Sequence, residues 1–193
     1  MSKKEIETFY PESQADWRRW LEENHQSKQS IWLIYYRQST NKPSLSWSEA
    51  VDEALCFGWI DSTKKTIDKE RYMQYFTKRK PGSTWSKVNK DKVAQLIDKK
   101  LMMKAGFDSI QIAKENGTWS LLDDVENLIV PEDLRCALNK HKSAMEFFES
   151  QSKTIRKGML YWVTVAKRPE TRKKRITEIV KSAANGEKPD HFR

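Results

Sequence analysis

The stretch Ala54-Leu55-Cys56-Phe57-Gly58-Trp59-Ile60-Asp61 carries the change of period on which the fold turns. Upstream of it, Trp47, Ala50, Val51, Ala54 and Leu55 recur at the spacing of one face of an amphipathic helix. Ser46 and Glu49 form a Ser-x-x-Glu capping box where that helix would begin, and Gly58 supplies its stop. Downstream, Trp59 to Thr66 and Arg71 to Thr77 read as two strands around Asp68-Lys69-Glu70, with Tyr72, Met73, Tyr75 and Phe76 giving the second its β-favouring content. The segment is a corner at which helix gives way to sheet.

On the N-terminal side, Ser13 and Asp16 make an acidic capping box for a helix over about 14–24, whose Trp17, Trp20 and Leu21 share one buried face. Ile31-Trp32-Leu33-Ile34-Tyr35-Tyr36 has no polar alternation, which predicts a central strand covered on both faces. On the C-terminal side, Lys78-Arg79-Lys80-Pro81-Gly82 is a turn that carries three adjacent cations out of the sheet. Helical periodicity then resumes, with Ser83, Ser86 and Asn89 as competing N-caps for a helix that packs Val93, Leu96 and Ile97. A helix over 105–115 follows, with Ile110 and Ala113 inward and Asn116-Gly117 as its stop. Beyond Pro131 the pattern is helical throughout, at about 132–140, 143–150, 153–166 and 169–184, with Glu187 to Arg193 as a frayed tail. The fold class is therefore α+β: a small antiparallel sheet packed with helices over residues 1–125, followed by an all-helical C-terminal region, 126–193, expected to dock on it.

Composition sets limits on function. The 193 residues are 37% hydrophobic and 33% charged, with 8 Trp, which supports a sizeable core and excludes an intrinsically disordered chain. No window approaches the ~18 apolar residues of a membrane span. The opening Met1-Ser2-Lys3-Lys4-Glu5-Ile6-Glu7 lacks a secretory apolar segment, so a cytoplasmic protein is expected. Cys56 and Cys136 stand far apart and outside any Cys-x-x-Cys pattern, which points to neither zinc nor redox chemistry. The net charge of +9 is concentrated in 61–110 and 151–193, the intervening stretches being acidic. Such blocks suit an anionic partner, a small molecule or nucleic acid, or are solvated faces of a basic protein.

Chemistry-bearing residues fall in three places. Asp61 interrupts apolar surroundings beside Trp59 and needs a partner such as Ser62, a backbone amide or Arg79, whether it fixes the corner or faces a ligand. Arg79, Ser83, Trp85, Ser86 and Asn89 gather a guanidinium, hydroxyls, an amide and a stacking surface near a helix start, a mixture that suits phosphate or carboxylate. Capping and a Trp anchor account for much of that group as well. Finally, Arg168, Arg172 and Arg175, with Thr171 among them, line one side of the last helix and would meet an anion or nucleic-acid phosphates. Cys56 is poorly suited to nucleophilic chemistry, since it ends a helix just after Asp52 and Glu53. His25, His141 and His191 fit no metal spacing, and no Ser-His-Asp or paired-carboxylate set assembles. His25 reads as a surface residue. No catalytic residue, cofactor or metal is expected, and whether the protein is an enzyme stays open.

Three motifs together resemble the YdeI/OmpD-associated, or bacteriocin-protection, family: the corner Ala54 to Asp61, then Arg79 with Trp85-Ser86-Lys87-Val88-Asn89, then Ala166-Lys167-Arg168-Pro169-Glu170-Thr171-Arg172. The resemblance implies a bacterial, cytoplasmic protein linked to protection against bacteriocins or antimicrobial peptides, with no catalytic residue to carry over. A basic protein does not attract cationic peptides by charge, so protection would run through an anionic partner or through regulation. The expected function is a binding or stress-response protein with an anionic-ligand site. The alternatives are nucleic-acid binding by the basic C-terminal helix and a small-molecule enzyme with a pocket near Asp61.

Overall fold

The computed structural model describes residues 7–192; Met1 to Ile6, which carry most of the expectation about a secretory segment, and Arg193 lie outside them. The chain divides into two compact units, one ending at Trp119 and one beginning at Ser120. The fold is α+β, a four-stranded sheet with helices and a helical C-terminal region.

In the first unit the elements run β1 (Thr8–Phe9), α1 (Gln14–Asn24), β2 (Ser30–Tyr36), α2 (Trp47–Cys56), β3 (Trp59–Thr66), β4 (Arg71–Lys78), α3 (Lys87–Asp98) and α4 (Lys104–Glu115). The sheet order is β1-β2-β4-β3, with β2, β4 and β3 antiparallel and the two-residue β1 added in parallel at the β2 edge. The β3–β4 register shifts between Asp61 and Lys64, a bulge next to the corner. Both predicted capping boxes form, Ser13 with Asp16 and Ser46 with Glu49. Of the three competing N-caps for α3, Ser86 takes the role by accepting from the Asn89 amide.

The structure corrects three expectations here, one of them being Ile97 of α3, which is exposed rather than packed. β2 is interior in the sheet, but only Ile31, Leu33 and Tyr35 are buried; Trp32, Ile34 and Tyr36 are half-buried on the opposite face. The unbroken apolar run thus reflects aromatics spread over a partly open face rather than two covered faces. Trp47 is 46% exposed although it falls on the apolar stripe of α2. Its indole reaches a carboxylate instead of the core, with Nε1 donating to Asp61 Oδ2 at 2.9 Å.

The core of this unit is built on Trp17, Leu21, Leu33, Ala54, Trp59, Phe76 and Trp85. Trp17 Nε1 donates to the Ala50 carbonyl at 3.0 Å and so ties α1 to α2. Glu53, only 3% exposed, is matched by Gln14 Nε2 and by Arg18 Nη1, each at 2.7 Å, which satisfies the buried charge. The corner works as read: Gly58 adopts φ +72°, where a side chain is strained. It is also pressed against α4, since a Cβ at Gly58 would lie 2.7 Å from the Ala105 carbonyl oxygen, and one at Gly106 would lie 2.4 Å from that of Cys56. Two glycines facing each other's backbones, and a Met103 amide donating to the Cys56 carbonyl at 3.1 Å, fix the start of α4 on the corner.

The second unit holds α5 (Asp123–Glu126), α6 (Glu132–Asn139), α7 (Lys142–Ser150), α8 (Lys153–Thr164) and α9 (Pro169–Ala184). Its core is formed by Leu134, Leu138, Phe148, Leu160, Val163 and Ile179 among others. The tail is not frayed where it is described: Asp190–Phe192 form a 3-10 turn. His191 stacks on Trp162 with ring centroids 5.0 Å apart, and the Phe192 ring fills the space that the absent side chain of Gly158 leaves. Among the described residues no helix is long and apolar enough to cross a membrane.

Candidate functional site

The turn after β4 and the start of α4 enclose a cavity of about 540 Å³, within the range of small-molecule sites. Phe57, Gly58, Pro81, Trp85, Met103, Ile112 and Ala113 give it an apolar wall, while Lys78, Arg79, Lys80 and Lys104 face Asp108 as its charged groups. The single acid is already engaged, with Lys104 Nζ 2.7 Å from Asp108 Oδ2. Lys78 Nζ donates to the Gln26 carbonyl at 2.7 Å. The α4 end of the cavity has no capping side chain at Met103, so the positive end of a twelve-residue helix adds to the cationic balance.

Arg79 is the unusual member. Its guanidinium carbon lies 3.6 Å from the centre of the Trp85 ring, and Nη1 donates to the Thr84 carbonyl at 2.8 Å. Nε is buried with no hydrogen-bond partner. Among the described residues no carboxylate lies within ion-pair distance of it. Burial pushes its pKa down to about 10, and the more distant negative charge of Asp61 only partly opposes that. It remains a cation at neutral pH, half-buried with its Nε withdrawn from water, and without a counter-charge in contact.

Trp85 completes the floor. It is 1% exposed, packs on Trp119 at 4.9 Å and leaves its own Nε1 without a partner. The other candidates named from this stretch go elsewhere. The Ser83 amide closes the turn onto the Lys80 carbonyl, and Ser86 and Asn89 start α3; none of the three lines the cavity. Trp59 lies in the core, edge-on to Trp20 at 5.8 Å. Asp61 accepts from Trp47 Nε1 and from Gln74 Nε2, each at 2.9 Å, rather than from Ser62 or Arg79. Cys56 is buried, and burial first, then Glu53, pushes its thiol up to about 11, so it is no thiolate.

In the second unit, Arg172 donates through Nε and Nη2 to Asp133 at 2.6 and 2.8 Å, and through Nη1 to the Val163 carbonyl at 3.1 Å. Arg175 donates through Nη1 to the Trp162 carbonyl and lies over that indole. Both join α9 to its neighbours: Arg172 engages Nε and both Nη atoms with protein oxygens, whereas Arg175 commits Nη1 alone. Arg168 is exposed at the N-cap of α9, and Thr171 is half-buried in its first turn.

Of the candidate ligand residues named from the sequence only Arg79 and Trp85 line the cavity, and the residues from Met103 to Ala113 were not anticipated. His25, read as a surface group, lines it, with its ring 5.1 Å from that of Phe57. Its place at the C-cap of α1 was legible, but the fold that brings α1 to α4 was not.

Fold and site define an α+β protein whose first unit holds a cationic, apolar-walled cavity. Residues 9–109, just over half of the chain, match the family described as "Domain of unknown function (DUF8412)", and the chain belongs to that family. Residues 127–186 match "Bacteriocin-protection, YdeI or OmpD-Associated", which supports the family resemblance and locates it on Ala166 to Arg172, while the corner and the Trp-Ser turn fall within the first match. Neither the curated proteins nor the solved structures give a match.

Proposed function

We propose that the protein is a cytoplasmic binding protein for a small organic anion, held by Arg79 in the cavity between the corner and α4, and that this binding serves a protective or stress-response role. The observation that carries the reading is Arg79 itself. A half-buried guanidinium whose Nε is sealed from water and which has no contacting carboxylate costs the free protein stability, and an anion entering the cavity would supply the missing charge. The apolar wall around it favours an organic anion with a flat or branched hydrocarbon body over a bare inorganic one. The description of the C-terminal family, bacteriocin protection, is the basis for the protective role.

Calorimetric titration with benzoate, using benzamide as its neutral counterpart, tests this. The wild-type protein should bind benzoate at least about tenfold more tightly than benzamide, as expected for a charge-assisted contact. Arg79→Met should abolish that difference while the circular dichroism spectrum is kept. Equal binding of the two probes by the wild type, or no benzoate binding at all, would remove the proposal.

A further inference from the structure

The cavity carries a second polar feature that the anion alone does not use. His25 Nδ1 lies 2.8 Å from the Leu21 carbonyl oxygen. A carbonyl only accepts, so Nδ1 must carry a proton, and in the neutral ring Nε2 is then left as a bare acceptor. The Leu21 carbonyl also accepts from the His25 amide at 2.8 Å, so the ring is fixed as part of the α1 C-cap. Contact with the Phe57 ring holds its plane from the side. Nε2 has no partner among the described residues and is not among the buried unpartnered atoms. The residue lines the same cavity as Arg79.

The cap uses Nδ1 and leaves Nε2 open to accept from a ligand. A neutral acceptor beside a cluster of cations does nothing for an anion that offers only acceptor atoms. It does bind the hydroxyl or N–H of a ligand that has one. Resting on the anion reading above, we infer that the natural ligand is a bifunctional organic acid: a carboxylate for Arg79, an apolar body for the Phe57, Met103 and Ile112 wall, and its own hydroxyl or N–H donated to His25 Nε2. Hydroxybenzoate-like and other hydroxy-acid anions are the class that carries all three groups. Asp108, the cavity's one acid, is the competing acceptor, and the His25 variants below distinguish the two.

The experiment compares benzoate with 3-hydroxy- and 4-hydroxybenzoate by calorimetry at a pH where imidazole is neutral. In the wild-type protein at least one hydroxybenzoate should bind about three- to tenfold more tightly than benzoate, the range one neutral hydrogen bond supplies. In His25→Phe, which keeps a flat ring against Phe57, the ratio of the two affinities should fall to about one. His25→Gln, which restores an acceptor oxygen, should recover part of it. Benzoate binding with no hydroxyl preference in the wild type, or a preference that survives His25→Phe, overturns this inference and leaves the Arg79 site standing. Failure of benzoate itself to bind overturns the Arg79 site first.

Discussion

Arg79 and Asp61 illustrate opposite fates for a charge near the same corner. Asp61 has found two donors, and Arg79, which donates to the neutral Thr84 carbonyl, has no carboxylate in contact among the described residues. The two residues therefore respond differently to neutral substitution. Arg79→Met should leave the ligand-free protein within about 1 kcal/mol of the wild type in urea unfolding, because the lost Thr84 and Trp85 contacts are offset by the removal of a half-buried cation with no contacting carboxylate. A loss of several kcal/mol would assign Arg79 to structure. Asp61→Ala removes Oδ2, the one oxygen to which both Trp47 Nε1 and Gln74 Nε2 donate, and should cost about 2 kcal/mol by the same measurement. That Asp61 needed a partner was legible from its apolar neighbours. Which partner it took was not, because Trp47 reaches it only across the α2–β3 corner and Gln74 only across the β3–β4 ladder.

At the scale of elements, the packing of α4 on the corner rests on Gly58 and Gly106. Gly106→Ala would place its new carbon 2.4 Å from the Cys56 carbonyl oxygen and 2.8 Å from that of Leu55, where backbone must move. It should cost about 3 kcal/mol or more, at the upper end of overpacking penalties. Gly58→Ala adds a positive φ to a 2.7 Å contact with Ala105 and should be similarly damaging. Gly82→Ala is the control: nothing lies within 4 Å, φ is not positive, and its stability should be unchanged or slightly raised. Thermal unfolding of the three variants separates close approach from a general effect of losing glycine.

The same elements show what sequence patterns can and cannot convey. Helix periodicity and capping boxes are local, so α1, α2 and the four long C-terminal helices stood out along the chain, as did the hairpin of β3 and β4. The two-residue β1 was invisible because Thr8 and Phe9 are too few to show a period and are held by distant partners, pairing with Trp32 and Leu33 and packing Phe9 on Trp20. The seating of His191 and Phe192 was invisible for the same reason: it depends on Trp162 and Gly158, about a helix and a half upstream. In the candidate site, Arg79 and Trp85 could be named because they are neighbours in sequence. His25 and the Met103 to Ala113 wall could not, because they converge only in three dimensions.

For the molecule as a whole, the carboxylates held below their ordinary range decide how stability responds to acid. Asp133 is lowered chiefly by its hydrogen bonds from Arg172, Glu49 by the Ser46 amide of its capping box, and Asp68 by Arg71. A carboxyl whose pKa is depressed by folding contributes stability that is present above its unfolded value and is lost as pH falls through the folded one. Stability should therefore be level around neutrality and decline below about pH 4, where the unfolded carboxyls begin to take up protons. The basic excess of the chain deepens the decline, since every proton bound adds to a net charge already at +9. Asp133→Asn should lower the melting temperature at pH 7 by a few degrees and flatten the acid limb, because its contribution is then absent at every pH. A variant whose acid limb matches that of the wild type would show that the Arg172 pair does not govern it.

The guanidinium lying 3.6 Å over the Trp85 ring also makes that indole a built-in optical gauge. A full positive charge so near an excited indole biases the energy at which it emits, and an anion that neutralises Arg79 removes that bias. The difference spectrum between the wild type and Trp85→Phe isolates this one emitter from the other seven. Its shift on adding benzoate should follow occupancy of the cavity directly, without a label, and should vanish in Arg79→Met.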